Sequence, residues 1–246
     1  MAKNKITQRF FLYSCGFVLV ATALAKLCQI LYMIYSSDIM MSEAVVSIFH
    51  IGYELFNLFA VASTVTVSIY AYSYFGIKTA IKSSLLSLAA LTLGKVIMYV
   101  YNVLVNTLTT AQLIAGALSY ITEVLFDALV IVLALIFAFS FAKLRIKKGN
   151  DSFSPLFASF GALAVYFLIL IADLTFMNVI PFFVKYGDPL DAEIRTIISD
   201  YLYYLISIPI AMLFSMLSNH LLTKVTGKLR LKSHYVNNES KELNQK

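Results

Sequence analysis

The sequence predicts an all-α, polytopic membrane protein with six transmembrane helices. Of its 246 residues, 60% are hydrophobic and only 13% are charged, whereas a soluble chain carries about 25% charged residues. The hydrophobic residues are gathered into long runs, and a run of about 18 to 20 residues is long enough to cross the hydrocarbon core as a helix. The sequence lacks the short alternating segments that are typical of a membrane β-barrel.

The hydrophobic runs fix the predicted domain organisation. We divide the chain into a cytoplasmic N-terminus (1–9), a six-helix transmembrane domain (10–223) and a basic cytoplasmic C-terminal tail (224–246). Pro209 lies within the sixth run, and we expect it to kink that helix and to free a backbone carbonyl. The six predicted spans are 10–35, 45–75, 84–105, 113–142, 155–183 and 201–223.

The first run also has features of a secretory signal peptide. A charged start and an apolar stretch precede the small-residue segment Ala23-Leu24-Ala25, which resembles a cleavage site. The apolar run nevertheless continues past Lys26 to Tyr35, and a lysine recurs in the third run as Lys95. We therefore predict a first transmembrane helix, with cleavage as the alternative.

Basic residues are concentrated in alternate connections between the runs. They precede the first run, follow the sixth, and occupy the second and fourth connections, the last as KLRIKK at 143–148. Lysine and arginine in short loops mark the cytoplasmic side, so both termini are predicted to be cytoplasmic, in a protein of the plasma membrane. The net charge of +6 is then expected to contact anionic lipid, and no nucleic-acid partner is predicted.

A shift of 69 residues superposes several charged positions. Lys26 falls on Lys95, and Glu54 falls on Glu123. A weaker third copy follows at an offset of 77, where Glu123 falls on Asp200. The pattern suggests three parallel repeats of a helical hairpin; the alternative is chance similarity between apolar helices.

Polar residues form a stripe on one face of each of the first four helices. Their spacing of three or four residues places each set on a single helical face. Charges within a span cost about 2.5–3.5 kcal/mol each near the helix centre, so they require an explanation. They are predicted to lie in the outer half of the membrane, above an almost purely apolar inner half. The candidate ligand- or ion-binding residues are Lys26, His50, Glu54, Asn57, Lys95, Glu123, Asp127 and Asp173.

Charge pairing gives a more specific hypothesis. We expect Lys26 to pair with Glu54 and Lys95 to pair with Glu123, which leaves Asp127 and Asp173 without an obvious cation. Two carboxylates one turn apart, such as those of Glu123 and Asp127, repel each other when both are ionised. Either one of them holds a proton or a cation lies between them.

Enzyme motifs are absent from the sequence. It has no P-loop, HExxH, GxSxG or GxGxxG pattern, so no enzymatic activity and no cofactor are predicted. His50 and Glu54 are one turn apart, a spacing that suits two metal ligands, and Glu123 and Asp127 are the candidates for the remaining ligands. The chain has only three histidines, which is weak support, and no metal site is predicted.

Two functions fit these residues. The first is a small transporter, or the substrate-binding component of one, whose charged site holds a small molecule, a proton or a cation. The alternative is a non-catalytic accessory or scaffold protein that acts through membrane-protein partners, in which the intramembrane charges serve to fix helix packing. A water-accessible cavity lined by the acids would favour the first function, whereas a dry core with every acid paired would favour the second.

Overall fold

The computed structural model describes residues 2–36, 42–106, 109–147, 154–186 and 191–225, and the regular structure in these ranges is helical throughout. A π-helical segment, Leu174–Val179, joins α5 to α6. The helices are α1 (Ala2–Ser36), α2 (Glu43–Phe75), α3 (Ile77–Val105), α4 (Thr110–Lys147), α5 (Pro155–Asp173), α6 (Ile180–Tyr186) and α7 (Asp191–Val225).

The described ranges contain six helical stretches long and apolar enough to cross a membrane, as the sequence predicted. The fifth combines α5, the π segment and the start of α6. The tail from residue 226 onward and the connections at 37–41, 107–108, 148–153 and 187–190 lie outside the described residues. The six stretches are Phe10–Ser36, Glu43–Phe75, Ile77–Val105, Thr110–Leu144, Pro155–Val184 and Glu193–Lys224.

Besides α1, which begins at Ala2 rather than at 10, two further helices begin at least seven residues earlier than predicted. α3 begins at Ile77 rather than at 84 because the chain reverses at one residue, Gly76, whose φ of 88° lies in the left-handed region that glycine adopts readily. α7 begins at Asp191 rather than at 201. In both cases the first turns are polar, and a search for apolar runs does not detect them.

The π segment in the fifth span was not predicted. The backbone N–H of Ile180 donates to the carbonyl of Thr175, five residues earlier. The next residue, Pro181, has no N–H to donate to the carbonyl of Met177, and a local widening of the helix accommodates this missing bond. By contrast, α7 remains one helix through Pro209.

α2 is the central helix of the bundle. Every residue from Ala60 to Ser73 is buried, on all sides of the helix. The reason is that α2 packs against α1, α3, α4, α5 and α7. One core cluster joins the middle of α2 to α4, α5 and α7, and a second surrounds Phe10, Val18 and Tyr70 where α1, α2 and α3 meet. α1 therefore forms part of the core.

The buried polar residues of the described ranges are all serines and threonines, fourteen in number. Two pairs link α2 to α7, since the hydroxyls of Ser63 and Ser218 are 2.9 Å apart and those of Thr66 and Ser215 are 2.7 Å apart. The half of the bundle that was predicted to be the inner one was expected to be almost purely apolar. These buried hydroxyl pairs show that this prediction is wrong. Within the described ranges, three buried hydroxyls have no hydrogen-bond partner: Ser14, Ser83 and Ser87.

Candidate functional site

A cavity of about 340 Å³ lies within the bundle, and all six spans contribute side chains to its wall. Its charged wall residues are Lys26 from α1, Glu54 from α2, Lys95 from α3 and Asp127 from α4. Its other polar wall residues are Thr22, Tyr53, Asn57, Thr92, Tyr166, Tyr203 and Tyr204.

Three of the charged residues occupy similar heights in their helices. Lys26 and Lys95 each lie ten residues before the end of their helix, and Glu54 lies eleven residues after the start of α2. At about 1.5 Å per residue, each is roughly 15 Å inside the helix end that faces the connections at 37–41 or 107–108. One or more residues of each predicted stripe therefore line the same cavity, although none of the four stripes lies on it along its whole length.

Lys95 bridges two carboxylates of α4. Its Nζ atom lies 2.8 Å from Oδ2 of Asp127 and 3.2 Å from Oε2 of Glu123. The side chains of Lys95, Glu123 and Asp127 are 26%, 54% and 42% exposed. The cation expected between the two acids is thus an internal lysine. The Lys95–Glu123 pair is as predicted, whereas the prediction that Asp127 has no cation is wrong.

The predicted pair between Lys26 and Glu54 is not formed. Lys26 Nζ donates to Oε1 of Gln29 at 3.0 Å and lies 5.3 Å from the centroid of the Tyr53 ring. Glu54 instead accepts a hydrogen bond from the hydroxyl of Tyr203 on α7. Among the described residues, no carboxylate oxygen lies within 4.0 Å of Lys26 Nζ. The two charged groups therefore have neutral partners.

Gly94 of α3 explains the direction that Lys26 takes. A Cβ atom at this position would lie 3.2 Å from Cε and 3.3 Å from Cγ of Lys26, and 2.7 Å from Cγ2 of Thr22. The missing side chain lets the aliphatic stem of Lys26 lie against α3, while Glu54 on α2 is bonded to α7. Packing against α3 therefore directs the lysine differently from the prediction.

Of the other predicted site residues, Asn57 lines the cavity, whereas Glu123, His50 and Asp173 do not. His50 is exposed, and its ring centroid lies 4.9 Å from that of Tyr32. Asp173 is half-buried at the end of α5, directly before the π segment. The described residues contain no group of three or more histidine, cysteine, aspartate or glutamate side chains placed to hold a metal ion.

Sequence reasoning missed the tyrosines of the cavity wall. Tyr203 and Tyr204 are at the N-terminal end of the sixth run, where aromatic residues commonly mark the lipid interface, yet both line the cavity. Tyr166 is buried in the middle of α5. A tyrosine far from either end of an apolar run was a usable signal, because its hydroxyl needs a polar environment.

The arrangement can bind a small polar molecule. It offers one ammonium group with neutral partners, one carboxylate with a neutral partner, and several tyrosine rings around a small space. Such a wall provides donors and acceptors for a small polar molecule. Comparison of the chain with protein-family models, with curated proteins and with solved structures gives no match.

Proposed function

We propose that this protein binds a small polar solute in the cavity among its six spans and acts as a transporter, or as the substrate-binding component of one, rather than as an enzyme. The proposal places it in the plasma membrane with both termini in the cytoplasm. Anionic lipid contacts the end of the bundle that carries Lys78, Lys82, Lys143 and Lys224.

The observation that carries the proposal is Lys26. An ammonium group within a span is costly, and this one is held at the cavity wall by an amide and an aromatic ring rather than by an acid. A lysine that served helix packing alone would be stabilised more by a carboxylate partner, as Lys95 is. Lys26 is therefore available to an anionic group of a ligand.

The scaffold function has its own support in the Lys95 cluster. The bonds from Lys95 to Glu123 and Asp127 connect α3 to α4 and account for three of the intramembrane charges without any ligand. In a scaffold, however, an apolar residue of similar length could replace Lys26 without loss of stability or function. In a solute-binding protein the same replacement would remove the binding, so this substitution allows a direct test.

The test compares Lys26→Met with Lys82→Met, the same change on the exposed part of α3, outside the cavity. Thermal unfolding of the purified protein in detergent is followed with increasing concentrations of small solutes: leucine, isoamylamine, 4-methylpentanoate and glycerol. A ligand at 100 times its Kd stabilises the folded state by about 2.7 kcal/mol. Flux of the stabilising solute is then measured in proteoliposomes.

We expect at least one solute to raise the melting temperature of the parent protein and of Lys82→Met, and to lose this effect in Lys26→Met. If no solute stabilises the parent, and Lys26→Met is simply more stable, the proposed function is wrong and the scaffold function is favoured.

A further inference from the structure

We infer that the solute is a small zwitterion, an α-amino acid with an apolar side chain, whose carboxylate lies beside Lys26 and whose ammonium group lies beside Glu54. This inference rests on the proposed function and specifies the substrate class of the same cavity.

The charges of the cavity wall supply the first argument. Lys95 and Asp127 form an ion pair, so they neutralise each other in place. Lys26 and Glu54 have opposite charges, both line the cavity, and each is bonded to a neutral group. A ligand with a single charge would satisfy one of them and leave the other desolvated without a counter-charge, which is costly. A zwitterion satisfies both.

The tyrosines supply the second argument. Tyr203 donates to Glu54, and Tyr204 and Tyr166 also line the cavity. An ammonium group bound at Glu54 would lie close to the Tyr203 hydroxyl, among aromatic rings. The face of an aromatic ring attracts a cation by about 0.5–2 kcal/mol, so this side of the cavity favours the positive end of the ligand.

The volume of the cavity and its apolar wall residues indicate the uncharged part of the ligand. Pockets for drug-sized ligands measure about 300–1,000 Å³, and this cavity, at about 340 Å³, is near the lower limit. Its wall also contains aliphatic side chains from α2, α3, α4 and α5, which suit a short apolar group. Among them are Leu58, Val61, Leu88, Leu91, Ile131 and Leu170.

Three probes separate the charges. Leucine carries both charged groups, isoamylamine is leucine without the carboxylate, and 4-methylpentanoate is leucine without the amine. Binding of each to the purified full-length protein in detergent is measured by calorimetry. We expect leucine to bind at least about tenfold more tightly than either analogue, a difference of about 1.4 kcal/mol.

Two variants then test the orientation. Lys26→Met should lower the affinity for leucine about tenfold and leave the affinity for isoamylamine unchanged. Glu54→Gln should lower the affinity for leucine and leave the affinity for 4-methylpentanoate unchanged. Lys82→Met serves as the control and should bind all three like the parent.

The outcomes separate the inference from the proposed function. If either analogue, or glycerol, binds more tightly than leucine, the zwitterion inference is wrong; the proposed function stands when Lys26→Met weakens the binding of that solute and is wrong when it does not. If leucine binds best but Lys26→Met and Glu54→Gln weaken all probes equally, the orientation is wrong. If none of the four solutes binds, both the inference and the proposed function are wrong.

Discussion

The Nζ atom of Lys95 lies 2.8 Å from Oδ2 of Asp127, an ion pair that connects α3 to α4 on the wall of the cavity. Lys26 occupies the matching position 69 residues earlier, yet its Nζ atom donates to Gln29. Two lysines that are equivalent in the sequence therefore have different partners. Lys95 is neutralised within the protein, and Lys26 is the lysine that the proposed ligand requires.

Double-mutant cycles should distinguish these two lysines. Lys95→Met alone leaves the carboxylates of Glu123 and Asp127 one turn apart without their shared cation, so we expect the free energy of unfolding to fall by about 1–3 kcal/mol. Adding Asp127→Asn and Glu123→Gln should recover most of that loss. Combined Lys26→Met and Glu54→Gln should be additive, because the two groups are not in contact.

The cycles are measured by thermal unfolding in detergent. Additive effects at Lys95 and Asp127 would mean that their ion pair contributes nothing to stability. Strong coupling between Lys26 and Glu54 would mean that they form the pair predicted from the sequence after all.

Gly94 should be sensitive to the smallest substitution. In Gly94→Ala the new Cβ atom would lie 2.7 Å from Thr22 Cγ2 and 3.2 Å from Lys26 Cε, so α1 or the lysine must shift. We expect lower stability and weaker solute binding, measured by thermal unfolding with and without ligand.

Gly16 provides the matched control, because a Cβ atom there meets nothing within 4 Å. Gly16→Ala should be neutral or slightly stabilising, since alanine favours the helix by about 1 kcal/mol over glycine. Equal behaviour of the two variants would show that the contact between α1 and α3 at Gly94 is not tight.

The buried hydroxyls should divide into two classes. Thr66→Val removes the partner of Ser215, and a buried hydroxyl left unpaired costs about 1–3 kcal/mol, so this variant should be destabilised. Ser83→Ala and Ser87→Ala remove hydroxyls that have no partner in the described ranges, and they should be neutral or stabilising. Thermal unfolding of the three variants tests this, and loss of stability in Ser83→Ala and Ser87→Ala would indicate a bound partner at these groups.

The sequence alone was sufficient to predict six helices long and apolar enough to cross a membrane and all four charged residues of the cavity wall. Long apolar runs and helical spacing are local properties, so they placed Lys26, Glu54, Lys95 and Asp127 on the faces that line the cavity. The partners of these residues depend on which helices pack together. Gly94 directs Lys26 along α3, and Tyr203 reaches Glu54 from a helix 149 residues away in sequence. Neither relationship leaves a signal in the spacing.

The 69-residue repeat stays a prediction. The two lysines that define it both line the cavity. The contacts of the two superposed acids differ, however, because Lys95 contacts Glu123 while Lys26 does not contact Glu54. The π segment Leu174–Val179 belongs to the fifth span, which would be part of the third copy. It lies just before Pro181, and a comparison of charged positions does not consider a proline.

The predicted topology can be checked with single cysteines in a chain that carries Cys15→Ser and Cys28→Ser. Thr109→Cys is at the connection between α3 and α4, and Ser154→Cys precedes α5 at the other end of α4. If the basic connections are cytoplasmic, a membrane-impermeant thiol reagent added to intact cells should label residue 109 and not residue 154. The reverse pattern would place both termini outside.

Asp127 and Asp173 give a matched pair for testing the cavity, because the same change to asparagine is made inside and outside it. Asp127 lines the cavity and contacts Lys95, whereas Asp173 does not line it. In Asp127→Asn, Lys95 retains Glu123 at 3.2 Å, so the fold should persist with a melting temperature close to that of the parent. The loss of one carboxylate at the cavity wall should nevertheless change the affinity for the stabilising solute, measured by calorimetry, and its flux in proteoliposomes. Asp173→Asn should leave both properties unchanged. If Asp127→Asn behaves like the parent while Asp173→Asn changes binding and flux, the functional carboxylate lies outside the cavity and our assignment of Asp127 is wrong.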